Sequence, residues 1–119
     1  MAYKDKEKEK AKCRKYYWKH PFTRMAKSIL KRDKKSIITS KNLWSLAKKQ
    51  KMICALTGEK LTNKNISPDH IVPLSLGGSS DISNIQLVIK DANLAKHYLS
   101  QEKFIDLCKK VIKNLSQID

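Results

Sequence analysis

A carboxylate and an imidazole lie side by side in the segment ISPDHIVPLSLGG, which runs from Ile66 to Gly78. Asp69 and His70 lie between two short apolar runs, and a proline follows three residues after the histidine. The apolar runs predict a β-strand, and the Gly-Gly pair that closes the segment predicts a loop. The segment therefore places an acid and a base at the end of a strand.

The pattern around this segment predicts a strand, a loop, a second strand and a helix in that order. The strands are predicted over 66–72 and 85–89, and the intervening loop contains Gly77 and Gly78. A helix is predicted from Asp91 to about Leu99. This order would bring Asp69, His70 and residues of the helix to one end of a hairpin.

Two helices are predicted before this unit. Apolar residues recur at helical spacing from Phe22 to about Lys35, and Ser40 is predicted to be the N-cap of a helix from Lys41 to about Lys51. The recurring apolar residues of the first helix are Phe22, Met25, Ala26, Ile29 and Leu30. The residues predicted on the buried face of the second helix are Leu43, Trp44 and Ala47.

Two further elements complete the predicted fold. The Thr57-Gly58 pair predicts a tight turn between two short strands, and Ser100 is predicted to cap a last helix. The apolar stripe of that helix is predicted to pack in the core. It consists of Phe104, Leu107, Cys108, Val111, Ile112 and Leu115.

The net charge is concentrated in the first half of the chain. Residues 1–53 hold 18 bases and 4 acids, a net of +14, whereas residues 54–119 hold 8 bases and 7 acids, a net of +1. Such asymmetry favours a polyanionic partner, and nucleic acid is a better candidate than an anionic membrane. The alternative is a basic tail that is merely solvated, and we favour nucleic acid over it as well. The lysine-rich start contains no apolar signal segment, which predicts an intracellular protein that is not secreted and has no membrane partner.

Polar residues that a packed domain does not need recur at defined spacing after His70. Asn84 follows it by 14 residues, and Asn93 follows Asn84 by nine. The pieces DHIVP, GG, NIQLV and NLAK, in this order over about residues 53–100, resemble the HNH endonucleases, or ββα-metal nucleases. The resemblance implies an α+β fold with a ββα-metal core, short antiparallel hairpins and flanking helices.

The resemblance also implies a role for each polar residue. His70 matches the general base, Asp69 and Asn93 match ligands of one divalent cation, and Asn84 matches a residue that holds the loop so that His70 points correctly. An imidazole with a pKa near ~6.5 suits a general base, and carboxylate and amide oxygens suit Mg²⁺ or Mn²⁺. Lys96 is expected to contact a neighbouring phosphate. Three roles remain open for His97: an extra metal ligand, a proton donor to the leaving oxygen, or a solvated side chain.

The sequence departs from the pattern of many HNH domains at the structural zinc site. Thr57 occupies the position where a second cysteine would follow Cys54, and residues 89–92 contain no cysteine. Zinc needs about four nitrogen or sulfur ligands, so no structural zinc is expected. Cys13, Cys54 and Cys108 are expected to be reduced, mostly structural thiols.

These observations together predict a metal-dependent HNH endonuclease that cuts DNA, with double-stranded DNA as the expected partner. The predicted organisation is a basic helical N-terminal arm over residues 1–39 and a nuclease domain with a C-terminal helix over residues 40–119. The alternative is a non-catalytic DNA- or RNA-binding module on an HNH scaffold. The residues predicted to bind nucleic acid are Lys12, Arg14, Lys15, Lys19, Lys48 and Lys49, and Tyr16, Tyr17 and Trp18 either stack on bases or pack on the body.

Overall fold

The computed structural model describes residues 20–116 together with Lys8. The helices of residues 20–116 are α1 (Pro21–Arg32), α2 (Ser40–Lys49), α3 (Lys90–Lys96) and α4 (Gln101–Ser116). Strands β1 (Ile66–His70) and β2 (Ile85–Ile89) lie between α2 and α3, and short 3-10 turns occur at Leu74–Leu76 and Ile82–Asn84. The α+β class is therefore confirmed.

The two strands form an antiparallel hairpin that runs directly into α3. Ile66 pairs with Ile89, Asp69 with Gln86, and His70 with Ile85. Helix α3 begins at the residue after β2, so the chain passes from strand to helix without a loop. The predicted arrangement of two strands and a helix around the Asp69–His70 pair is thus present.

Strand β2 lies at the centre of the core, and all five of its residues are buried. Helix α1 packs on β1 and contributes Met25 and Ile29 to this core, and α2 packs on β2 and contributes Leu43 and Ala47. Met25, Ile29 and Leu43 each contribute roughly 1.5–3 kcal/mol on full burial, so these helices supply much of the stability of the hairpin. The predicted boundary at residue 40 falls between two helices that share this core, and the division into two units stays a prediction.

Side-chain hydrogen bonds also attach the first two helices to the hairpin. Arg24 Nη2 of α1 donates to the Ile66 carbonyl at 3.4 Å. Gln50, directly after α2, donates to the Leu87 carbonyl at 3.0 Å and accepts from the Leu87 N–H at 2.9 Å. Gln50 therefore provides hydrogen-bond partners for the backbone N–H and carbonyl of Leu87, as a neighbouring strand would.

Helix α2 begins one residue earlier than predicted, with Thr39 rather than Ser40 as its N-cap. Thr39 Oγ1 accepts from the Asn42 N–H at 3.1 Å, and Asn42 Oδ1 accepts from the Thr39 N–H at 2.9 Å. This reciprocal pair is a capping box, which needs a polar residue three positions after the cap. Asn42 supplies that residue for Thr39 and so decides between the two adjacent hydroxyl residues.

Three other sequence expectations are corrected. Trp44, which was predicted on the buried face of α2, is 46% exposed and lies edge-on against Phe22 with ring centroids 5.3 Å apart. The turn at Thr57-Gly58 joins no strands, because a single bridge between Ile53 and Lys60 forms there.

The third correction concerns α4, which contains no buried residue. Ser100 does cap it, since its Oγ accepts from the Lys103 N–H at 3.3 Å. Ile112 and Leu115 are nevertheless 66% and 60% exposed, so the predicted packing of the stripe is wrong. Helical periodicity shows that one face is apolar, but the core is already closed by α1, α2 and the hairpin.

Crossing a bilayer demands a helix that is both long and continuously apolar. None of the described helices combines these two properties.

Candidate active site

The end of β1 and the inner face of α3 line one cavity of about 470 Å³. Asp69 and His70 are the last two residues of β1, and Asn93 lies on α3. Asn93 Nδ2 donates to Ser67 Oγ at 2.8 Å and to the Pro68 carbonyl at 3.3 Å, which holds α3 against β1. The structure thus brings Asp69, His70 and Asn93 to a single cavity, as their spacing predicts.

Asp69 is a buried carboxylate with a cationic partner. Its side chain is 5% exposed, and Lys96 Nζ lies 2.9 Å from Oδ2 and 3.1 Å from Oδ1. Gln86, directly opposite in β2, donates to Oδ2 at 2.8 Å. A buried carboxylate is tolerated only when it is paired and hydrogen-bonded, and these two side chains meet that requirement.

Lys96 does not point at solvent, contrary to its expected role as a phosphate contact. Its side chain is fully buried, and Nζ also donates to the carbonyls of His70 at 2.8 Å and Ile71 at 3.3 Å. The ammonium therefore has no donor to spare for a substrate phosphate. Spacing correctly placed Lys96 on the inner face of α3, but that face turns toward the carboxylate of Asp69.

His70 is half-buried, and Nε2 lies 3.0 Å from the hydroxyl of Ser80. Removal from solvent lowers the pKa of His70 below its ordinary value. The negative charges of Asp69 and Asp33 oppose this shift, whereas the positive charges of Arg32 and Lys96 add to it. The imidazole is therefore neutral, and able to accept a proton, at physiological pH.

Asn84 holds the loop that leads away from His70. Its Nδ2 donates to the carbonyls of Ser79 at 2.7 Å and Val72 at 3.0 Å, and its Oδ1 accepts from the Val72 N–H at 2.9 Å. The loop folds so tightly that a Cβ at Gly78 would overlap the Val72 carbonyl, which explains the glycine there. Asn84 thus braces the loop and does not itself line the cavity, which agrees with a positioning role.

Asp69 and Asn93 carry oxygen atoms of the kind that divalent cations take as ligands. Among the described residues Asn93 Oδ1 accepts no hydrogen bond, and Asp69 Oδ1 accepts only one although it can accept about two. No cluster of three His, Cys, Asp or Glu side chains occurs in the described ranges. Two protein oxygens with water and phosphate completing the shell are the arrangement that Mg²⁺ commonly adopts.

His97 lies on the rim of the same cavity, directly after α3. It is exposed, its φ is 49°, and its ring lies 3.7 Å from that of Tyr98. Its backbone N–H donates to the Asn93 carbonyl at 3.0 Å, but among the described residues its side chain makes no hydrogen bond to Asp69 or Asn93. An extra ligand, a proton donor and a solvated side chain therefore all stay open for His97.

The remaining candidate residues lie away from the cavity or outside the described residues. Lys48 and Lys49 are exposed at the end of α2, and Lys48 Nζ lies 5.5 Å from the centre of the Trp44 ring. Cys54 is buried, and its Sγ accepts from the N–H groups of Thr57 at 3.4 Å and Ile89 at 3.3 Å. The candidate residues that lie outside the described ranges are Lys12, Cys13, Arg14, Lys15, Tyr16, Tyr17, Trp18 and Lys19.

Sequence reasoning missed the contribution of α1 and of two polar residues to the site. Arg32, at the end of α1, lines the cavity, and Asp33 follows it. Ser80 and Gln86 are buried polar residues, 7% exposed each, in contact with His70 and Asp69. A glutamine within the otherwise apolar run of β2 was the available signal for Gln86. No local pattern distinguishes Arg32 and Asp33 from other charged residues of the basic half.

Comparison with known proteins agrees with this geometry. Residues 52–99 match the model of a family described as HNH endonuclease, and the matched range contains β1, β2, α3 and the residues Asp69, His70, Asn84 and Asn93. A search of curated proteins gave no match to the chain. Residues 52–99 are therefore an HNH domain.

Proposed function

We propose that this protein is a metal-dependent endonuclease that hydrolyses phosphodiester bonds of DNA, with His70 as the general base. HNH nucleases act on nucleic acids and generally use a divalent metal ion. The observation that carries the proposal is the convergence of Asp69, His70 and Asn93 on one cavity. A packed core has no need of these three side chains at one place.

Each residue of the cavity has a defined task in this reaction. A neutral His70 takes the proton from the attacking water, and its lowered pKa keeps it neutral at physiological pH. Asp69 and Asn93 are the residues that would hold the cation, each through a side-chain oxygen. A bound Mg²⁺ or Mn²⁺ would stabilise the charge that develops on the phosphate and on the leaving oxygen.

Binding of the substrate follows from charge. The net of +14 in residues 1–53 favours a polyanion, and each phosphate that is contacted releases counterions from the nucleic acid. Lys48 and Lys49 are exposed lysines that suit such contacts, and the arm residues Lys12, Arg14, Lys15 and Lys19 suit them by their sequence. Duplex DNA is the proposed substrate because its charge density is high.

The proposal is tested by cleavage of supercoiled plasmid in the presence and absence of Mg²⁺ or Mn²⁺. His70→Ala should lower the rate at least ~10²-fold, since general-base catalysis contributes about that factor, while DNA affinity remains nearly unchanged. His20→Ala is the matched control, because His20 lies before α1 and does not line this cavity. Cleavage by His70→Ala at the wild-type rate would show that the assigned base is wrong.

The same assay separates the alternative function. A non-catalytic binding module would bind plasmid without cutting it under any metal condition. Removal of metal by a chelator should stop cleavage while the helical circular dichroism signal persists, because the described core is apolar and needs no metal. Loss of helix on chelation, together with tightly bound zinc, would indicate ligands that the sequence interpretation missed.

A further inference from the structure

An exposed tryptophan lies on the basic half of the chain, outside the cavity that contains His70. Trp44 of α2 is 46% exposed, and Phe22 of α1 packs edge-on against it with ring centroids 5.3 Å apart. Both rings line a second cavity of about 480 Å³, and none of the residues around it lines the His70 cavity. Ligand-binding cavities commonly have volumes of roughly 300–1,000 Å³. The protein thus has a second concave site that the proposed reaction does not use.

Two lysines flank this tryptophan along the exposed side of α2. Residues three and four positions apart share a face of an α-helix, so Lys41, Trp44 and Lys48 form one row, the Trp44 row. All three side chains are exposed, and the seven residues from Lys41 to Lys48 span about 10 Å of helix axis. Lys48 Nζ lies over the Trp44 ring, 5.5 Å from its centre, and Lys41 lines the second cavity. The indole therefore has a lysine on each side of it along the helix.

An aromatic ring between two cations matches the chemistry of a nucleotide in a strand. Every nucleobase has a flat π-face that can stack on an indole, so such stacking does not depend on sequence. The phosphates on either side of the base are anionic, and the ammonium groups of the two lysines can each bind one of them. Lys48 is a flexible side chain, so its ammonium can move from the ring to a phosphate when a base stacks in its place.

The charges favour nucleic acid over a protein partner at the Trp44 row. The centres of protein–protein interfaces are depleted of lysine, whereas this short row carries two. Residues 1–53, which include the row, hold a net charge of +14, and such a charge attracts polyanions. A paired base in a duplex offers only its edges in the grooves, because its faces are stacked on its neighbours. The ligand that fits the row is therefore an unpaired nucleotide.

We propose that the Trp44 row is a second nucleic-acid subsite, which binds an unpaired nucleotide with its base on the Trp44 indole and its flanking phosphates on Lys41 and Lys48. Phe22 is a positioning residue, since its edge supports the indole ring. The subsite rests on the nucleic-acid binding of the proposed function and refines its substrate. The preferred DNA is then a duplex that carries a single-stranded stretch.

Stacking is separated from charge by a strand that keeps its phosphates and lacks its bases. Full-length protein is titrated, with a chelator present, into an oligothymidylate of about 12 nucleotides or an abasic strand of equal length, and binding is followed by fluorescence anisotropy. The wild-type protein should bind the thymidylate more tightly than the abasic strand. Trp44→Leu keeps an apolar side chain without an aromatic face, so it should weaken thymidylate binding roughly 5- to 150-fold and leave abasic binding unchanged.

Two further variants control for folding and for general apolar contacts. Trp44→Phe keeps an aromatic face and should retain most of the affinity for the thymidylate. Ile37→Ala changes an 87% exposed apolar side chain between α1 and α2 and should alter neither affinity. Unchanged thymidylate binding in Trp44→Leu, or an equal loss for both strands, would overturn the proposal.

The salt dependence of the same binding tests the role of the lysines. Lys41→Gln should lower the slope of log affinity against log salt by ~0.7, the value for one phosphate contact on a single strand. Trp44→Leu should leave the slope unchanged because it removes no charge, and the exposed Lys103→Gln on α4 is the charge control. An unchanged slope in Lys41→Gln would contradict the assignment of this lysine to a phosphate.

The emission of Trp44 reports stacking directly. Trp44 is the only tryptophan in a Trp18→Phe background, and the thymidylate should quench its emission while the abasic strand should not. Vesicles of phosphatidylcholine and phosphatidylserine are the comparison. A response to these vesicles and not to the thymidylate would overturn the proposal and identify the row as a membrane contact.

The binding measurements and the cleavage assay can fail separately. A protein that cuts plasmid but binds thymidylate no better than the abasic strand would keep the proposed function and lose the subsite. A protein that binds thymidylate through Trp44 but cuts no DNA would keep the subsite and lose the proposed function.

Discussion

Lys96 Nζ lies 2.9 Å from Asp69 Oδ2, and the two side chains are 0% and 5% exposed. This buried ion pair joins α3 to the end of β1, next to His70 in the chain. Because Nζ also donates to the His70 and Ile71 carbonyls, one ammonium fixes both the carboxylate and the backbone at the point where the strand ends. The pair therefore connects the stability of the domain to the geometry of the candidate site.

Removal of the Lys96 ammonium should destabilise the protein strongly. Lys96→Met leaves the Asp69 carboxylate buried without its cation, and breaking a buried pair in this way costs about 3–5 kcal/mol. The double variant Asp69→Asn/Lys96→Met should lose less than the sum of the single changes, because no unpaired charge remains. Urea unfolding followed by circular dichroism measures both, with the exposed Lys90→Met on the same helix as control. A loss below about 1 kcal/mol in Lys96→Met would contradict the expected cost of an unpaired buried charge.

Cleavage should rise with pH, and the midpoint of the rise should lie below the ordinary pKa of histidine. The base acts in its deprotonated form, and burial lowers the pKa of His70, so the rising limb should have its midpoint below about 6.5. Arg32→Gln should move that limb to higher pH, because the Arg32 charge disfavours protonation of His70. Rates of plasmid cleavage under single-turnover conditions measure the profile. Lys31→Gln, an exposed change one residue away, should leave it in place.

Loss of the Asn84 side chain should loosen the loop and slow cleavage. Asn84→Ala removes three hydrogen bonds to Val72 and Ser79, which at about 0.5–1.5 kcal/mol each predicts a loss of roughly 1.5–4.5 kcal/mol. Ser80, the next residue in that loop, would then hold His70 less firmly. Thermal unfolding and plasmid cleavage measure the two effects, with the exposed Asn63→Ala as control. Wild-type stability and rate in Asn84→Ala would show that the loop holds without this side chain.

Truncation of the basic N-terminus should weaken binding and leave the chemical step intact. Deletion of residues 1–19 removes eight bases and three acids, a change of −5 in net charge. The slope of log affinity against log salt should fall by ~0.9 for each duplex DNA phosphate that the truncated protein no longer neutralises. Filter binding over a salt series measures the slope, and cleavage at saturating DNA should change little. An unchanged slope would mean that these residues do not bind DNA, and an absence of turnover would mean that they help to build the site.

The sequence by itself determined the hairpin and helix and the main candidate residues. These features are local, because the patterns that predict them lie within about thirty residues. The patterns are the strand periodicity, the glycine pair Gly77 and Gly78, and the spacing of His70, Asn84 and Asn93. Such short-range patterns directly fix which side chains reach one end of a hairpin. The capping box of Thr39 was also local, but two adjacent hydroxyl residues left its position open by one residue.

Only the tertiary structure decided which residues surround Asp69 and His70. Lys96 turns to the buried carboxylate because Asp69 is 5% exposed and needs a counter-charge, and neither fact is visible in the spacing. Arg32 and Asp33 reach the site because Met25 and Ile29 pack α1 on the hairpin over a long sequence separation. The exposure of the apolar stripe of α4 was likewise decided only by the tertiary structure. An amphipathic pattern shows that a helix has an apolar face, but it does not specify whether the rest of the fold covers that face.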